Sequence, residues 1–470
     1  MGKLLKTYIT PHPPIIVHEV GLGREAGVQS TINAMNYVAE EIGNLSPGVI
    51  IVITPPHSPA FGDAMSISIE KFLYGDFGQF GAPEVSFKLE TDVRLSNLIM
   101  RKAAAQSLPV APIDSEASKR YGISSKLDHG AMVPLYFVNN RYRDYKMVYI
   151  TYGRLGNEKL YHFGRLIRES IEEVASDAVL ICSGDLSHRL NIQAPAGYHP
   201  KGEEYDSTIV DLLRGADIDK IMDIDKALIE MAAECAYPSI ITALGSLDGM
   251  DINGEVLSYE GTFGVGYCVA AYSLCNKNSH KDRIDYYYGR KKDITKNLRA
   301  KEDEYVRLAR ESLTHYIKTG KFMDIPDSTS DELLIKKAGV FVSIKKDGML
   351  RGCIGTIEGV HENIAREIIQ NAVSAGTRDM RFYEVEEDEL DELVFSVDVL
   401  GETHPVKNIK ELDPVRYGVI VSKGSKRGLL LPNLEGVNTV DEQLNIALNK
   451  AGIRNNEDYK IEKFAVYRHF

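Results

Sequence analysis

The stretch Val49-Ile50-Ile51-Val52-Ile53-Thr54-Pro55-Pro56-His57 decides the fold of the first half of the chain. An unbroken run of β-branched residues predicts a strand that is buried on both faces, as strands of parallel sheets are. His57 then lies just beyond the carboxyl end of this strand. Open α/β sheets collect their functional residues at that position.

Two further apolar runs are followed by a histidine in the same way. Leu4 to Ile9 precedes His12, and Val179 to Ser183 precedes His188. Because the carboxyl ends of parallel strands meet at one edge of a sheet, three imidazoles are expected to converge there. Such convergence is typical of an open metal site.

Segments with helical periodicity separate these runs. Thr31 to Ile42 comes before the strand at residue 49, and Leu160 to Ala175 comes before the strand at residue 179. The alternation predicts an α/β fold over residues 1–275, with a mostly parallel sheet flanked by helices.

Residues 276–301 are polar, mostly basic and interrupted by Gly289, which predicts an interdomain linker. A helix is expected to begin at Glu302, with its apolar face running from Tyr305 to Ile317 and Gly320 placed to end it. Further strands are predicted at Gly339 to Ile344, Leu393 to Leu400, Gly418 to Val421 and Lys460 to Tyr467, and further helices at Val360 to Ser374 and Asp441 to Ala451. Residues 302–470 are therefore predicted to form a separate α+β domain.

Charge and composition limit the partners and the compartment. The 470 residues carry a formal net charge of -12, which gives no general attraction to polyanions, so nucleic acid is not an expected partner. The amino terminus lacks a signal-like apolar core, and no stretch approaches the roughly 20 apolar residues that span a bilayer. The five cysteines include no CxxC pair, which disfavours a disulfide or zinc-ribbon framework. We expect a cytoplasmic protein without a membrane partner, and we leave open whether it is a homo-oligomer.

His12 and His57 are the best candidates for metal ligands. Prolines flank both residues and stiffen their loops, so that each imidazole is held in place. Open iron(II) sites that activate O2 typically add one carboxylate to two histidines. Glu234 is the predicted carboxylate, because an acid within an apolar helical stretch is costly unless it has a partner such as a metal.

Two more histidines are predicted to be catalytic. His129 follows Asp128, which could orient its ring, as could a backbone carbonyl, and His188 ends the motif Ser183-Gly184-Asp185-Leu186-Ser187-His188. Neutral imidazoles near pH 7 can take and return a phenolic proton. Any one of these histidines alone is more often structural, but four at one sheet edge favour a metal or acid/base site.

Several motifs in this order resemble the LigB-like class III extradiol dioxygenases. They are Pro11-His12-Pro13-Pro14, Pro56-His57-Ser58-Pro59, Leu127-Asp128-His129-Gly130, the motif ending at His188, and Phe263-Gly264-Val265-Gly266-Tyr267. The resemblance covers residues 1 to about 275. It implies Fe(II) held by His12, His57 and Glu234, with His129 and His188 as acid/base and oxygen-stabilising residues.

The same fold includes the Memo proteins, in which a cysteine in a comparable helix takes the place of the carboxylate. The stretch from Cys235 to Ile240 is similar to the Memo stretch, so Cys235 is the alternative third ligand. A carboxylate is the harder donor and suits Fe(II) with O2, whereas a thiolate invites its own oxidation. Because one residue of offset on a helix turns a side chain by about 100°, both cannot easily point at one ion, and we expect Glu234 to be the ligand.

Residues from about 300 to 470 resemble the AMMECR family, whose hallmark is Leu350-Arg351-Gly352-Cys353-Ile354-Gly355-Thr356. This stretch predicts a turn in which two glycines let backbone amides approach an anion or a nucleotide-like group beside Arg351 and Cys353. The alternative is a tight turn with Cys353 buried as a small hydrophobic residue. Both modules on one chain resemble the AmmeMemoRadiSam arrangement, which implies a radical-SAM protein as a partner.

Two functions follow from these resemblances. The leading one is a non-haem Fe(II) extradiol dioxygenase that binds a catechol-like aromatic diol and O2 and cleaves the ring beside the diol. The competing one is a metal-binding accessory protein that works with a radical-SAM enzyme and cleaves no ring. Glu234 as the third ligand favours the first function, and Cys235 favours the second.

Overall fold

The computed structural model describes residues 1–346, 348–434 and 437–470, apart from the side chain of Ser279. The chain divides into two compact units, Met1–Tyr288 and Gly289–Phe470. The segment 276–301, which was predicted to be a linker, contains a helix over Ile284–Arg299, and Gly289 lies inside this helix instead of interrupting it. None of the helices in the described ranges combines the length and the apolar character needed to cross a bilayer.

The first unit is built on a sheet of eight strands. The strands of this unit are β1 (Leu4–Thr10), β2 (Val49–Thr54), β3 (Met65–Ser68), β4 (Phe72–Phe77), β5 (Ala82–Glu90), β6 (Val110–Ile113), β7 (Lys146–Thr151), β8 (Ala178–Ser183), β9 (Met250–Glu260) and β10 (Tyr267–Lys277). The order in the large sheet is β6-β3-β7-β2-β8-β1-β10-β9, while β4 and β5 form a separate hairpin. The central strands β7, β2, β8 and β1 are parallel, and β9 and β10 add an antiparallel edge. The predicted fold class is confirmed.

Helices cover both faces of this sheet. They are α1 (His18–Gly21), α2 (Gln29–Leu45), α3 (Val93–Ala105), α4 (Ser115–Tyr121), α5 (His129–Asn139), α6 (Asn157–Glu173), α7 (Pro200–Gly215), α8 (Ile218–Met222), α9 (Lys226–Ala232) and α10 (Tyr237–Ser246). The boundary between the two units falls within α11 (Ile284–Arg299). One core includes α3, α6 and α10, and the other includes α2 and α5.

Strand β2 shows why the sheet is buried on both faces. Ile51 and Ile53 belong to one core, whereas Ile50 and Val52 belong to the other, and all four side chains are fully buried. Successive side chains of a strand point to opposite faces, so a continuous β-branched run fills both cores at once.

The pairing register brings the ends of three strands to one level. Thr10 of β1 pairs with Ser183 of β8, and Ile53 of β2 pairs with Cys182 of β8. The loops that follow these strands therefore leave the sheet side by side. This edge carries His12, His57 and the loop that leads to His188.

The second unit has an α+β fold. Its later helices are α12 (Glu304–Thr319), α13 (Asp331–Ile335), α14 (Ile364–Thr377) and α15 (Val440–Ala451), and its strands are β11 (Val340–Lys346), β12 (Met349–Gly355), β13 (Leu393–Leu400), β14 (His404–Pro405), β15 (Gly418–Lys423), β16 (Lys426–Leu430), β17 (Lys460–Phe464) and β18 (Val466–His469). The sheets run β12-β11-β13-β18 and β14-β17-β15-β16. Asp303 caps α12, so the helix begins at Glu304, two residues after the predicted start at Glu302. Gly320 ends the helix in the left-handed conformation, at the predicted position.

The second unit beyond the linker helix should fold alone, because α12, α14 and β11 share a core of their own. A fragment of residues 302–470 is expected to be soluble and to melt cooperatively. Arg299, which the 302–470 fragment lacks, donates to the carbonyl oxygen of Leu393 at 3.1 Å. A fragment of residues 289–470 should therefore melt at a higher temperature than the 302–470 fragment, by about 2–4 °C for each kcal/mol of added stability. Thermal denaturation followed by circular dichroism measures both. An aggregated or molten 289–470 fragment would contradict independent folding.

Candidate metal centre

Three histidines meet at the sheet edge described above. The ligand atoms of His12, His57 and His129 all lie within 4.8 Å of one another. The ring centroids of His57 and His129 are 3.8 Å apart, and those of His12 and His57 are 4.8 Å apart. His12 is buried, and the side chain of His57 is 22% exposed. The group therefore contains two of the three histidines that were predicted to converge, His12 and His57. His129 of α5 takes the third place, and His188 is not part of this group among the described residues.

The hydrogen bonds of His12 fix its tautomer. Ser183 Oγ lies 2.9 Å from His12 Nδ1 and donates its own proton to the carbonyl oxygen of Gly130 at 2.6 Å. Because the only hydroxyl proton is used there, Ser183 Oγ accepts a proton from His12 Nδ1–H. His12 Nε2 is left with a lone pair. A metal ligand whose other ring nitrogen donates to the protein has this arrangement.

His57 is held in the same tautomer by a carboxylate. Asp128 Oδ2 accepts from His57 Nδ1 at 3.0 Å and also faces the backbone N–H of His57 at 3.3 Å. His57 Nε2 is therefore a lone-pair donor as well. The suggestion that Asp128 orients the ring of His129 is wrong, because the carboxylate orients His57 and caps α5 at the N–H of Ala131.

His129 and His188 lack such an anchor. Nδ1 of each ring is buried without a hydrogen-bond partner in the described part of the chain. Burial lowers the pKa of His129 to about 4, and it also lowers the pKa of His188. The pKa of His12 is lowered chiefly by burial and then by the neighbouring rings of His57, His129 and His188, so His12, His129 and His188 are neutral near pH 7.

Glu234 does not lie where the sequence predicts it. Helix α9 ends at Ala232, and Ala233 takes the left-handed conformation with φ of 52°, so Glu234 belongs to a connection and not to a helix. Its Oε2 accepts the backbone N–H of Tyr237, at the start of α10. Burial raises the pKa of Glu234 to about 8, so the carboxyl group is neutral near pH 7 when it has no cation beside it.

Cys235, one residue further on, faces His12. Its Sγ lies 3.6 Å from His12 Nε2 and accepts the backbone N–H of Asp185 at 3.3 Å. Metal–sulfur bonds of about 2.3 Å and metal–nitrogen bonds of about 2.0–2.1 Å at a tetrahedral angle place two donors of one ion roughly 3.5 Å apart. The pair His12 Nε2 and Cys235 Sγ fits this separation. The three histidines therefore fit a divalent metal. Cys235 is not part of the group of described donors within 4.8 Å of one another, but its sulfur approaches that group at His12, whereas the Glu234 carboxyl group is bonded to the start of α10.

Two buried aspartates and a tyrosine support the site, and the sequence analysis did not single them out. Asp185 Oδ1 accepts the backbone N–H of His12 at 2.8 Å, and Asp206 Oδ1 accepts the backbone N–H of Ser187, next to His188, at 2.8 Å. Tyr152 Oη donates to the carbonyl oxygen of Cys235 at 2.8 Å. Only Asp185 carried a sequence signal, because it lies within the motif that ends at His188.

The hallmark stretch of the second unit is a strand and not a turn. Arg351 and Cys353 lie in β12, and a Cβ on Gly352 would come within 2.1 Å of the carbonyl oxygen of Ala375, so this glycine serves the close approach of α14. Arg351 Nη2 donates to Glu389 at 2.7 Å, and its Nη1 donates to a backbone carbonyl. The guanidinium is thus bound within the fold.

Gly130 is required where His57 packs against α5. A Cβ at this position would come within 1.9 Å of Thr54 Oγ1 and 2.8 Å of His57 Cε1. We expect Gly130→Ala to lower the free energy of unfolding by about 1–3 kcal/mol and to weaken metal binding through the displaced ring. Thermal melting and metal titration would measure the two effects. Gly215→Ala is the matched control, because a Cβ at residue 215 would meet open space. Gly197 is unsuitable as a control, because its φ of 72° would strain an alanine.

The site and the fold define a class of protein. Residues 6–270 match the family described as "Catalytic LigB subunit of aromatic ring-opening dioxygenase", and the chain belongs to this family. Residues 306–469 match the AMMECR1 family. Both resemblances predicted from the sequence are confirmed.

Individual relatives share one unit or both. "Protein CA_C1420" of Clostridium acetobutylicum is 46% identical over 98% of this chain and 98% of its own. A protein of Thermotoga maritima is 49% identical over 170 residues, which is 36% of this chain and 98% of that protein. The crystal structure of the uncharacterized protein PH0010 from Pyrococcus horikoshii matches with 33% identity and a TM-score of 0.33, over 35% of this chain and 88% of that one. None of these three names states an activity.

Proposed function

We propose that the first unit is a non-haem Fe(II) dioxygenase that opens the ring of a catechol-like diol. The observation that carries this proposal is the pair of anchored imidazoles: Ser183 and Asp128 fix Nδ1 of His12 and His57, so both Nε2 atoms are free to hold a metal at one sheet edge. In the proposed site Cys235 is the third donor. Its thiolate would carry the same single negative charge as the carboxylate predicted from the sequence.

Bound Fe(II) would supply a Lewis-acidic position at which a diol and O2 are held side by side. The chain itself supplies the proton carriers. His129 and His188 are neutral and partly buried, so each can accept a phenolic proton at a ring nitrogen and return it later. We assign them this role, and not ligation, because neither ring has an anchored Nδ1 in the described structure.

The test of the proposal is an anaerobic purification with metal analysis, followed by a screen of catechols under O2. We expect about one iron per chain, O2 uptake with at least one diol, and the near-ultraviolet absorbance of a ring-opened product. Bound iron with no O2 uptake on any diol would contradict ring cleavage.

The proton carriers give a sharper prediction. His129→Phe and His188→Phe should each keep the metal and lose turnover by about 10²–10⁴-fold, the usual effect of removing a positioned proton-transfer group. His162→Phe is the matched control, because His162 is also a partly buried histidine of this unit, but its ring contacts Tyr288. If the His129→Phe variant has wild-type turnover, His188 alone carries the proton transfers. If the His129→Phe variant loses its metal, His129 is a metal ligand.

A second function is supported by Cys235 itself. A thiol 3.6 Å from His12 Nε2 would be exposed to oxidation beside bound O2, which suits a metal-binding accessory protein better than an oxygenase. Such a protein would bind metal, leave catechols unchanged and act together with a radical-SAM enzyme. Co-purification with that enzyme class, combined with metal binding and no O2 uptake, would favour this function over ring cleavage.

A further inference from the structure

The hairpin of β4 and β5 places an aromatic ring on His129. The turn of this hairpin ends at Phe80, whose ring meets the His129 ring edge to face, with centroids 5.3 Å apart and planes at 76°. The His57 ring lies against the same imidazole, with centroids 3.8 Å apart. Edge-to-face contact is one of the preferred geometries of aromatic pairs. Two rings therefore pack against His129, and one of them comes from outside the histidine cluster.

These ring contacts take the place that hydrogen bonds have at the other imidazoles. His12 and His57 are fixed at Nδ1 by Ser183 and Asp128, whereas Nδ1 of His129 is buried without a partner in the described ranges. The torsion that turns an imidazole about its Cβ–Cγ bond is broad, so it sets the ring orientation only weakly by itself. Packing against neighbouring rings is then what limits the orientation of His129.

The turn that carries Phe80 is closed by its own hydrogen bonds. Asp76 Oδ1 accepts the backbone N–H of Gly78 at 2.8 Å, and Gly81 donates its N–H to the carbonyl oxygen of Gly78 at 3.1 Å. Gly81 has a φ of 89°, in the left-handed region that favours glycine. The ring of the fully buried Phe77 lies 6.1 Å from that of Phe80. The position of Phe80 is therefore set within the hairpin.

The hairpin is seated directly on the start of α5, where His129 is the first residue. The carbonyl oxygen of Tyr74 accepts the backbone N–H of Leu127 at 2.9 Å. A Cβ on Gly75 would come within 2.6 Å of Met132 Sδ and 2.9 Å of Leu127 Cβ, so the strand approaches the helix as closely as a glycine permits. Phe80 and His129 thus belong to one tightly packed assembly.

We propose that Phe80 is the positioning residue of His129, and that its ring keeps the imidazole turned so that one ring nitrogen stays within 4.8 Å of the ligand atoms of His12 and His57. The inference rests on the proposed function in one respect, namely that the ring held in this way is a proton carrier. Phe80 has no group that exchanges a proton or binds a metal, so it acts through His129 alone.

A double-variant cycle in the Fe(II)-loaded full chain tests this through turnover. Phe80→Ala should keep the metal and lower kcat by about 10–100-fold, the scale of a misplaced catalytic group, with KM within about twofold of the wild type. Combined with His129→Phe it should lower kcat no further, because no imidazole is left to position, whereas combined with His188→Phe it should still lower kcat. Phe72→Ala is the control, because Phe72 belongs to the same hairpin but its ring faces Lys88. A further loss of kcat in the Phe80→Ala/His129→Phe chain would overturn the inference.

A second measurement needs no turnover. The full chain is labelled with 15N in its histidines and loaded with Zn(II), which is diamagnetic, and the His129 signals are assigned from their absence in His129→Phe. The His129 ring should give one narrow set of resonances in the wild type and in Phe72→Ala. Phe80→Ala should broaden or double this set and leave the signals of His12 and His57 in place.

This measurement also separates the inference from the proposed function. If the wild type turns over no diol, the proposed function fails, and the resonances alone decide the role of Phe80. Unchanged His129 resonances in a folded Phe80→Ala chain, as judged by circular dichroism, would show that Phe80 does not hold the ring.

Discussion

His12→Ala and His57→Ala should each abolish stoichiometric metal binding while the protein stays folded. Each ring is one of two donors whose Nε2 lone pair is fixed by a hydrogen bond at Nδ1, so its removal takes away a preorganised ligand. Removing groups that only orient a ligand typically costs about 10–100-fold in metal affinity, and removal of the ligand itself should cost more. Metal content after anaerobic loading with Fe(II) measures the effect, and circular dichroism checks the fold.

His18→Ala is the control for loss of an imidazole. His18 belongs to the same unit, its side chain is 76% exposed, and it pairs with Glu25. This variant should bind metal as the wild type does. Full iron occupancy in both the His12 and His57 variants would refute the metal centre.

Cys235→Ser should weaken metal binding by at least about 100-fold, whereas Glu234→Gln should retain it. The sulfur lies at the distance from His12 Nε2 that two donors of one ion require, and a neutral serine hydroxyl is a poor substitute for a thiolate. The Glu234 carboxyl group has a pKa of about 8 and accepts the N–H of Tyr237, which a neutral amide oxygen can also do. X-ray absorption should show a sulfur scatterer at about 2.3 Å from the metal.

Cys275→Ser serves as the control, because Cys275 is an exposed free cysteine of the same unit. Loss of metal in Glu234→Gln with retention in Cys235→Ser would return the third position to the carboxylate. That result would remove the argument for an accessory role and strengthen ring cleavage. A nitrogen- and oxygen-only coordination shell in both variants and in the wild type would instead make His129 the third ligand.

The sequence predicted the sheet and the histidines because both depend on local patterns. The β-branched run at 49–54 coincides with the observed strand β2. The predicted run at 179–183 matches β8, except that β8 begins one residue earlier, at Ala178. A histidine directly after a buried parallel strand has little freedom in where it lies. The position of His12 and His57 therefore followed from strand ends alone.

The proposed third donor, Cys235, could not be obtained in this way. The apolar stretch around residues 231–238 has helical composition, but the left-handed Ala233 interrupts it, and the sequence offers no glycine there as a signal. That interruption turns Glu234 toward the start of α10 and Cys235 toward His12. The hallmark stretch at 350–356 was likewise mistaken for a turn, because glycines that permit close helix packing have the same composition as glycines that bend a chain.

The hydrogen bonds of Ser183 have a consequence for the order in which the protein is made. One hydroxyl joins His12 to Gly130, and the facing thiol belongs to residue 235, so the site is assembled from segments that leave the ribosome far apart in time. Contacts of such long sequence separation form late in folding. A nascent chain that ends before Cys235 has the imidazoles without the sulfur. In the proposed site, acquisition of a metal with its sulfur donor would follow synthesis of most of the first unit, and an ion captured earlier would be held by nitrogen alone.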